Sequence, residues 1–371
     1  MGIERFTIEV RPPFRLDLTV WALRRRPHNT IDAWDGTTYT RTLVSGGAAL
    51  QVAVRQEQGR GARLVVEVRR RGRRPPEAAV EETRRVVERM LGVGVDLSGF
   101  YELAAADDRL AALALRFRGM RPPRFPSVFE ALVNAVACQQ LSLDVGIHLL
   151  DRLTAAYGPR VALGDAGAGF PAAERLAAAA PEDLRRLGFS SAKAATLVEL
   201  SQRVATGALE LESLTEIDDS EATAALVALP GIGRWSAQYV LLRGLGRLEV
   251  LPGDDVGVRN SLRRRFDLPS SAGYDEVAAM AERWRPYGGL VYFHLLLDGL
   301  ARSGRLGEDL VTPGLRVEGG RRREPGAAAA GADGRASSRA GVDGRASRRA
   351  GADGRASRRA GADGRASREV V

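Results

Sequence analysis

Apolar and polar positions alternate along much of the first ninety residues. The runs RLDLTVWAL (15–23), TYTRTLV (38–44), LQVAVRQ (50–56) and RLVVEVRR (63–70) carry the pattern. A two-residue period is that of a strand with one buried face. Gly-containing turns such as DGT and GRG separate the runs, so antiparallel strands are expected. PPEAAVEETRRVVERMLGV (75–93) then switches to a spacing of three and four, with proline at its start, which predicts a helix. Residues 1–94 therefore read as an N-terminal α+β domain, a curved sheet backed by a helix.

From about Asp96 to Leu310 the period is helical. In SVFEALVNAVACQQLSLDVGIHLLDRLTAAYG (127–158), Ser127 is placed as an N-cap, and Glu130 three residues on completes a capping-box pattern. PAAERLAAAAPEDLRRLGF, SSAKAATLVELSQRVATG and DSEATAALVALPGIG continue as short helices. YDEVAAMAERWRPYGGLVYFHLLLDGLARSG (274–304) adds two more, broken at Arg285-Pro286. Residues 95–315 are expected to form an all-α domain. A ten-residue repeat follows from Gly331 (GADGRASSRA and its variants). Gly, Ala, Asp, Ser and Arg cannot bury a core, so residues 316–371 are expected to be a disordered tail.

Composition narrows the class. The net charge of +9 suggests a polyanionic partner, but residues 316–371 carry +7 of it, so charge says little about the folded body. The single cysteine, Cys138, excludes an internal disulfide and any site built from several thiolates. His28, His148 and His294 lie far apart with no ligand-like spacing, so a metal-poor protein is expected. Neither a signal-peptide core nor a long apolar run is present, so a cytoplasmic protein with no membrane partner is expected. The cluster RRRGRR (69–74) reads as a solvated hairpin end. One lysine, Lys193, stands among arginines.

The densest chemistry lies in LPGIGRWSAQYVLLRGLGRLEVLPGDDVGVRNS (229–261). Gly231 and Gly233 permit a tight turn and a close backbone approach. The helix that starts near Arg234 points its first N–H groups outward, an arrangement that suits a phosphate oxygen. A plain connection between two helices explains a bare PGIG equally well. Asp254 and Asp255 either cap the next helix or act on something the hairpin holds.

The combined run resembles the helix–hairpin–helix DNA glycosylase superfamily, and within it the AlkA-type 3-methyladenine DNA glycosylases. GIGRWSAQYVLLRG, the LPGDD loop, AERWRPY and AVACQQLSLDVG match that family's segments in order, over roughly residues 10–305. The resemblance implies a monofunctional hydrolase that flips alkylated purines from duplex DNA and cuts their N-glycosidic bond. Asp255 matches the catalytic aspartate; Asp254 beside it is expected to cap the following helix. Gln140 and Leu141 match the wedge that enters the duplex. Trp235 and Tyr239 match aromatic positions of the base pocket, and Phe293 is a further pocket candidate. Gly231, Ile232, Gly233 and Arg234 are expected to hold a DNA phosphate. Carbonyls of Val227, Leu229 and Ile232 are expected to bind a monovalent cation; no other cofactor is implied, and a monomer is expected.

Lyase members of the superfamily have a lysine where this chain has Trp235, and a Schiff base needs that amine. The family's pattern also has a tryptophan at about Leu296. That departure leaves room for oxidised or deaminated bases as targets. A non-catalytic DNA-binding protein would need the hairpin but not Asp255.

Overall fold

A computed structural model describes residues 2–57, 63–160 and 167–306. The tail at 316–371 lies outside the described residues, as does the GRG turn. The sheet contains β1 (Gly2–Glu9), β2 (Ala33–Trp34), β3 (Thr38–Ser45), β4 (Ala48–Glu57) and β5 (Arg63–Arg70), in the order β1-β5-β4-β3-β2. All neighbours pair antiparallel, with Phe6 opposite Val66 and Val54 opposite both Val66 and Tyr39. Gly46 and Gly47 close the β3–β4 hairpin at φ +54° and +70°, values that glycine reaches without strain.

Along the chain the helices are α1 (Leu16–Arg24), α2 (Glu77–Met90), α3 (Ser98–Ala105), α4 (Asp108–Arg116), α5 (Val128–Cys138), α6 (Leu143–Tyr157) and α7 (Ala173–Ala177). They continue with α8 (Pro181–Arg186), α9 (Ser191–Ala205), α10 (Asp219–Val227), α11 (Arg234–Val240), α12 (Val256–Phe266), α13 (Tyr274–Glu282) and α14 (Gly288–Arg302). The α+β class and the helical second part agree with the sequence pattern. No helix among the described residues is long and apolar enough to cross a membrane.

One expectation about the N-terminal part fails, and one strand was not foreseen. Residues 15–23 form helix α1, not a strand. The run is buried almost throughout, so it shows no polar face. Leu16, Val20 and Leu23 join one core cluster with the sheet and α5, whereas Leu18, Trp21 and Ala22 join a second with α12 and α14. Those two triads are opposite stripes of one helix, and the alternation read as period two comes from burial on both sides. Strand β1, in turn, was hidden by its charges. It is an edge strand, and its less exposed side chains, Glu4, Phe6 and Ile8, include a charge, while Ile3 is exposed.

The capping box at α5 is half formed. Ser127 Oγ accepts the Glu130 N–H at 3.1 Å. The Glu130 carboxylate does not return the bond. It accepts from Arg41 of β3 at 2.6 Å, and Arg41 also donates to Asp32 at 2.6 Å. The pairs are buried, and desolvation pushes the Glu130 carboxyl up to about 7 despite Arg41. This network ties the sheet to α5, the helix that leads to the candidate site.

Candidate active site

Asp255 is placed by the start of α12. It is the N-cap residue, with extended φ −69° and ψ 117°, and its Oδ1 accepts the Val258 N–H at 3.0 Å. Its Oδ2 accepts from Trp235 Nε1 of α11 at 3.3 Å. The two roles open to this carboxylate are therefore compatible: one oxygen holds the helix, the other faces the aromatic. Burial pushes the Asp255 carboxyl above its ordinary value, opposed by the Val258, Trp235 and Gly257 donors and by the charge of Arg243. Asp254, expected as the cap, lies one residue too early. It pairs instead with Arg234 at 2.8 Å and Arg259 at 2.6 Å.

The hairpin joins α10 to α11. Gly231 has φ +73°, and a Cβ there would sit 2.6 Å from Thr196 Oγ1 of α9, so both the turn and the contact need glycine. Ile232 donates its N–H to the Leu229 carbonyl at 3.1 Å. Gly233 caps α11 and has open space where a side chain would stand. The side chains of Leu229 and Ile232 are buried, whereas that of Val227 is exposed. Arg234 is not a loose cation. It is paired with Asp254, and its guanidinium lies 3.5 Å over the Tyr274 ring. It fastens the hairpin to the LPGDD loop.

Gln140 and Leu141 form the turn between α5 and α6. Gln140 has φ +52°, and Leu141 is 42% exposed, unusual for a large apolar side chain beside so dense a core. The turn is held from behind. Lys193 Nζ of α9 donates to the carbonyls of Ala137 (3.1 Å) and Gln139 (2.7 Å). The Gln139 amide reaches the hairpin, donating to the Gly231 carbonyl and to Ser236 Oγ, each at 2.9 Å. The Gln140–Leu141 turn and the hairpin are thus one connected assembly.

The aromatic candidates separate. Trp235 is half-buried and packs on Tyr239 with ring centroids 5.3 Å apart. Tyr239 is 2% exposed, and its hydroxyl accepts from Arg25 at 2.7 Å, so it lies beneath Trp235. Phe293 does not open to a ligand. It is wholly buried, and the Arg243 guanidinium lies over its ring at 5.2 Å. Its place in YFHLLLDGL puts it on the inward side of α14, the ordinary fate of a phenylalanine in such a run. Leu296, the departure from the family pattern, is half-buried on the same helix.

Sequence reasoning missed Arg25 and Arg243. Arg25 follows α1 at φ +61° and also donates to Asn134 Oδ1 at 2.7 Å. Arg243 donates to the Ala22 carbonyl at 2.9 Å and lies over Tyr239 at 5.6 Å. Both are buried, and the Nε of each has no acceptor. Nothing in an arginine-rich sequence marked these two. Cys138 is buried, which pushes its thiol up, as expected of a packing residue. His294 is also a core residue; Nδ1 meets the Leu290 carbonyl at 2.7 Å, and burial lowers its pKa to about 4.

Comparison with known proteins gives two family matches. Residues 133–286 match the HhH-GPD superfamily base excision DNA repair protein model, and residues 5–127 match the AlkA N-terminal domain. The chain is 34% identical over 161 residues to the putative DNA-3-methyladenine glycosylase YfjP of Bacillus subtilis, covering 43% of this chain and 55% of that protein. It is 30% identical over 216 residues to the DNA-3-methyladenine glycosylase of the same organism, covering 58% of this chain and 71% of that protein. A solved 3-methyladenine DNA glycosylase from Archaeoglobus fulgidus superposes with a TM-score of 0.70 at 29% identity, over 81% of this chain and 99% of that one.

Proposed function

Because the chain belongs to the HhH-GPD superfamily of base excision DNA repair proteins, we propose that it hydrolyses the N-glycosidic bond of alkylated purines in duplex DNA. The observation that carries this reading is the Asp255 carboxylate, raised in pKa by burial and bonded to the aromatic helix that follows the hairpin. An alkylated purine such as 3-methyladenine is already cationic, so it leaves without being protonated. As the bond breaks, positive charge moves onto the sugar. One ionised, half-buried carboxylate stabilises that charge; a preorganised oxyanion-hole donor, the analogous device for negative charge, contributes about 2.7–4 kcal/mol. Asp255 also orients or deprotonates the attacking water.

The target base must leave the stack to reach Asp255. In this reading Leu141 fills the gap, with Gln140 beside it; its exposure and the bonds of Lys193 and Gln139 behind the turn support the role. Trp235 presents its face to the flipped base, and cation–π attraction favours a cationic one by roughly 0.5–2 kcal/mol. Tyr239 supports it from below. The backbone N–H groups at Gly233 and Arg234 serve a DNA phosphate. The turn at Val227, Leu229 and Ile232 offers neutral carbonyl oxygens, the donor type a hard monovalent cation takes, and such an ion would add positive charge toward the phosphate. Lys193 is engaged by two carbonyls, so no lysine amine is proposed for strand cleavage. The protein is proposed to act as a monomer.

A second reading has one observation in its favour. The buried guanidiniums of Arg25 and Arg243 lie against Tyr239, and such donors suit a base carrying carbonyl oxygens, such as an oxidised or deaminated purine. Free-base release from duplexes carrying methylated, oxidised or deaminated purines separates the two. Methylpurine release that leaves unnicked abasic sites supports the first reading. Release confined to carbonyl-rich neutral lesions supports the second.

A further inference from the structure

One group of side chains stands apart from the proposed reaction. His28 lies in the segment after α1, and His148 and Asp151 lie one turn apart on α6. One donor atom from each lies within 4.8 Å of the other two. The sequence separates the histidines by 120 positions, which is why their spacing gave no sign of a ligand set. In the fold their imidazoles stack, with centroids 4.1 Å apart and planes 12° from parallel. His28 Nε2 is buried and has no hydrogen-bond partner. Asp151 Oδ1 accepts from both the backbone N–H (3.0 Å) and the hydroxyl (2.7 Å) of Thr30.

We propose that His28, His148 and Asp151 form a binding site for a divalent transition-metal ion of the zinc type. Two imidazoles and one carboxylate are a donor set that zinc, cobalt and nickel share, and the absence of thiolates disfavours softer ions. The Thr30 bonds hold the Asp151 carboxylate, as supporting hydrogen bonds do for metal-ligating groups. The buried Nε2 of His28 gains the partner it lacks. Bonds of about 2.0–2.1 Å in tetrahedral array bring ligand atoms to about 3.3 Å from one another. The donors must therefore close by rotation. His148 is exposed and free to turn out of the stack. Its exposure also leaves the outer coordination positions to water.

The ion acts as a brace, not a catalyst. It joins the segment between α1 and β2 to α6. That segment carries Arg25, three residues before His28, which holds the Tyr239 hydroxyl. The site does not depend on the glycosylase reading.

The test uses the untagged full chain, stripped with a chelator and titrated with zinc by calorimetry and with cobalt by visible absorption. The chain holds only three histidines and one cysteine, so competing sites are few. Wild type should bind one zinc ion and rise in melting temperature. His148→Ala, which changes an exposed side chain, and Asp151→Asn should each weaken binding at least thirtyfold. The cobalt complex should show a visible band that His148→Ala removes. The proposal is overturned if wild type binds no zinc with a dissociation constant below about 100 μM. Equal affinity in wild type and His148→Ala overturns it as well.

Discussion

Lys193→Met isolates the support of the wedge turn from the chemistry. The ammonium donates to two carbonyls at the C-terminal end of α5, at 3.1 and 2.7 Å, and is half-buried there. Hydrogen bonds from a charged donor contribute about 1.5–3 kcal/mol each in buried settings, and a cation at a helix C-terminus about 0.3–1 kcal/mol. Burial costs the ammonium part of that, and desolvation lowers its pKa. A net loss of about 1–2 kcal/mol is expected in urea unfolding. The functional loss should be selective. In the proposed reaction, opening a paired duplex needs the Gln140–Leu141 turn in place, whereas a lesion opposite a mismatch is already partly unstacked. Single-turnover base release from a paired methylpurine should fall about tenfold, equal to 1.4 kcal/mol. Release from the mismatched duplex should fall less than about twofold on the same scale. An equal loss on both substrates, or no loss on either, refutes the reasoning that Lys193 acts through the wedge.

Five other outcomes follow from the geometry. Leu141→Ala should repeat the paired-duplex defect while changing stability by less than about 0.5 kcal/mol, since the side chain is exposed; a melting curve beside the same assay checks it. Glu130→Ala should destabilise by about 3 kcal/mol, because Arg41 loses one of two buried carboxylate partners; chemical denaturation reads this. Arg25→Met should lower kcat/KM on methylated DNA by loosening Tyr239, and Arg25→Lys should recover part of it. The pH profile of single-turnover release should lose activity, as pH falls, through a value above that of an ordinary carboxylate, because Asp255 must be ionised and burial raises its pKa. Trp235→Phe, which removes one donor to Asp255, should move that limb to higher pH.

The sheet, the helical second part and the hairpin were legible because each follows a local period or a turn residue with a conformational reason. Gly231 at φ +73° is such a case. Helix α1 was not legible, since a helix buried on opposite faces has no periodic contrast. Asp255 was singled out through the motif, but that it, and not Asp254, caps α12 depends on where the helix begins, a boundary that sequence reads only to within a few residues. Phe293 was misplaced because an aromatic on α14 can turn either way, and the Arg243 guanidinium decides it. Arg25, Arg243 and the His28–His148 pair come from segments brought together only by packing. Lys193 alone carried a sequence signal, as the one lysine, yet its contacts with α5 are tertiary.

In the proposed reaction the Asp255 carboxylate stabilises the cationic sugar as the base departs. Asp255→Asn tests it most directly, since asparagine caps a helix about as well as aspartate and can still accept the Val258 N–H. Single-turnover release of methylpurine and affinity for abasic-site duplex should be measured on both proteins. Release by Asp255→Asn should be slower by about a hundredfold or more, with DNA affinity kept within a few fold. Release at the wild-type rate by Asp255→Asn would contradict that role.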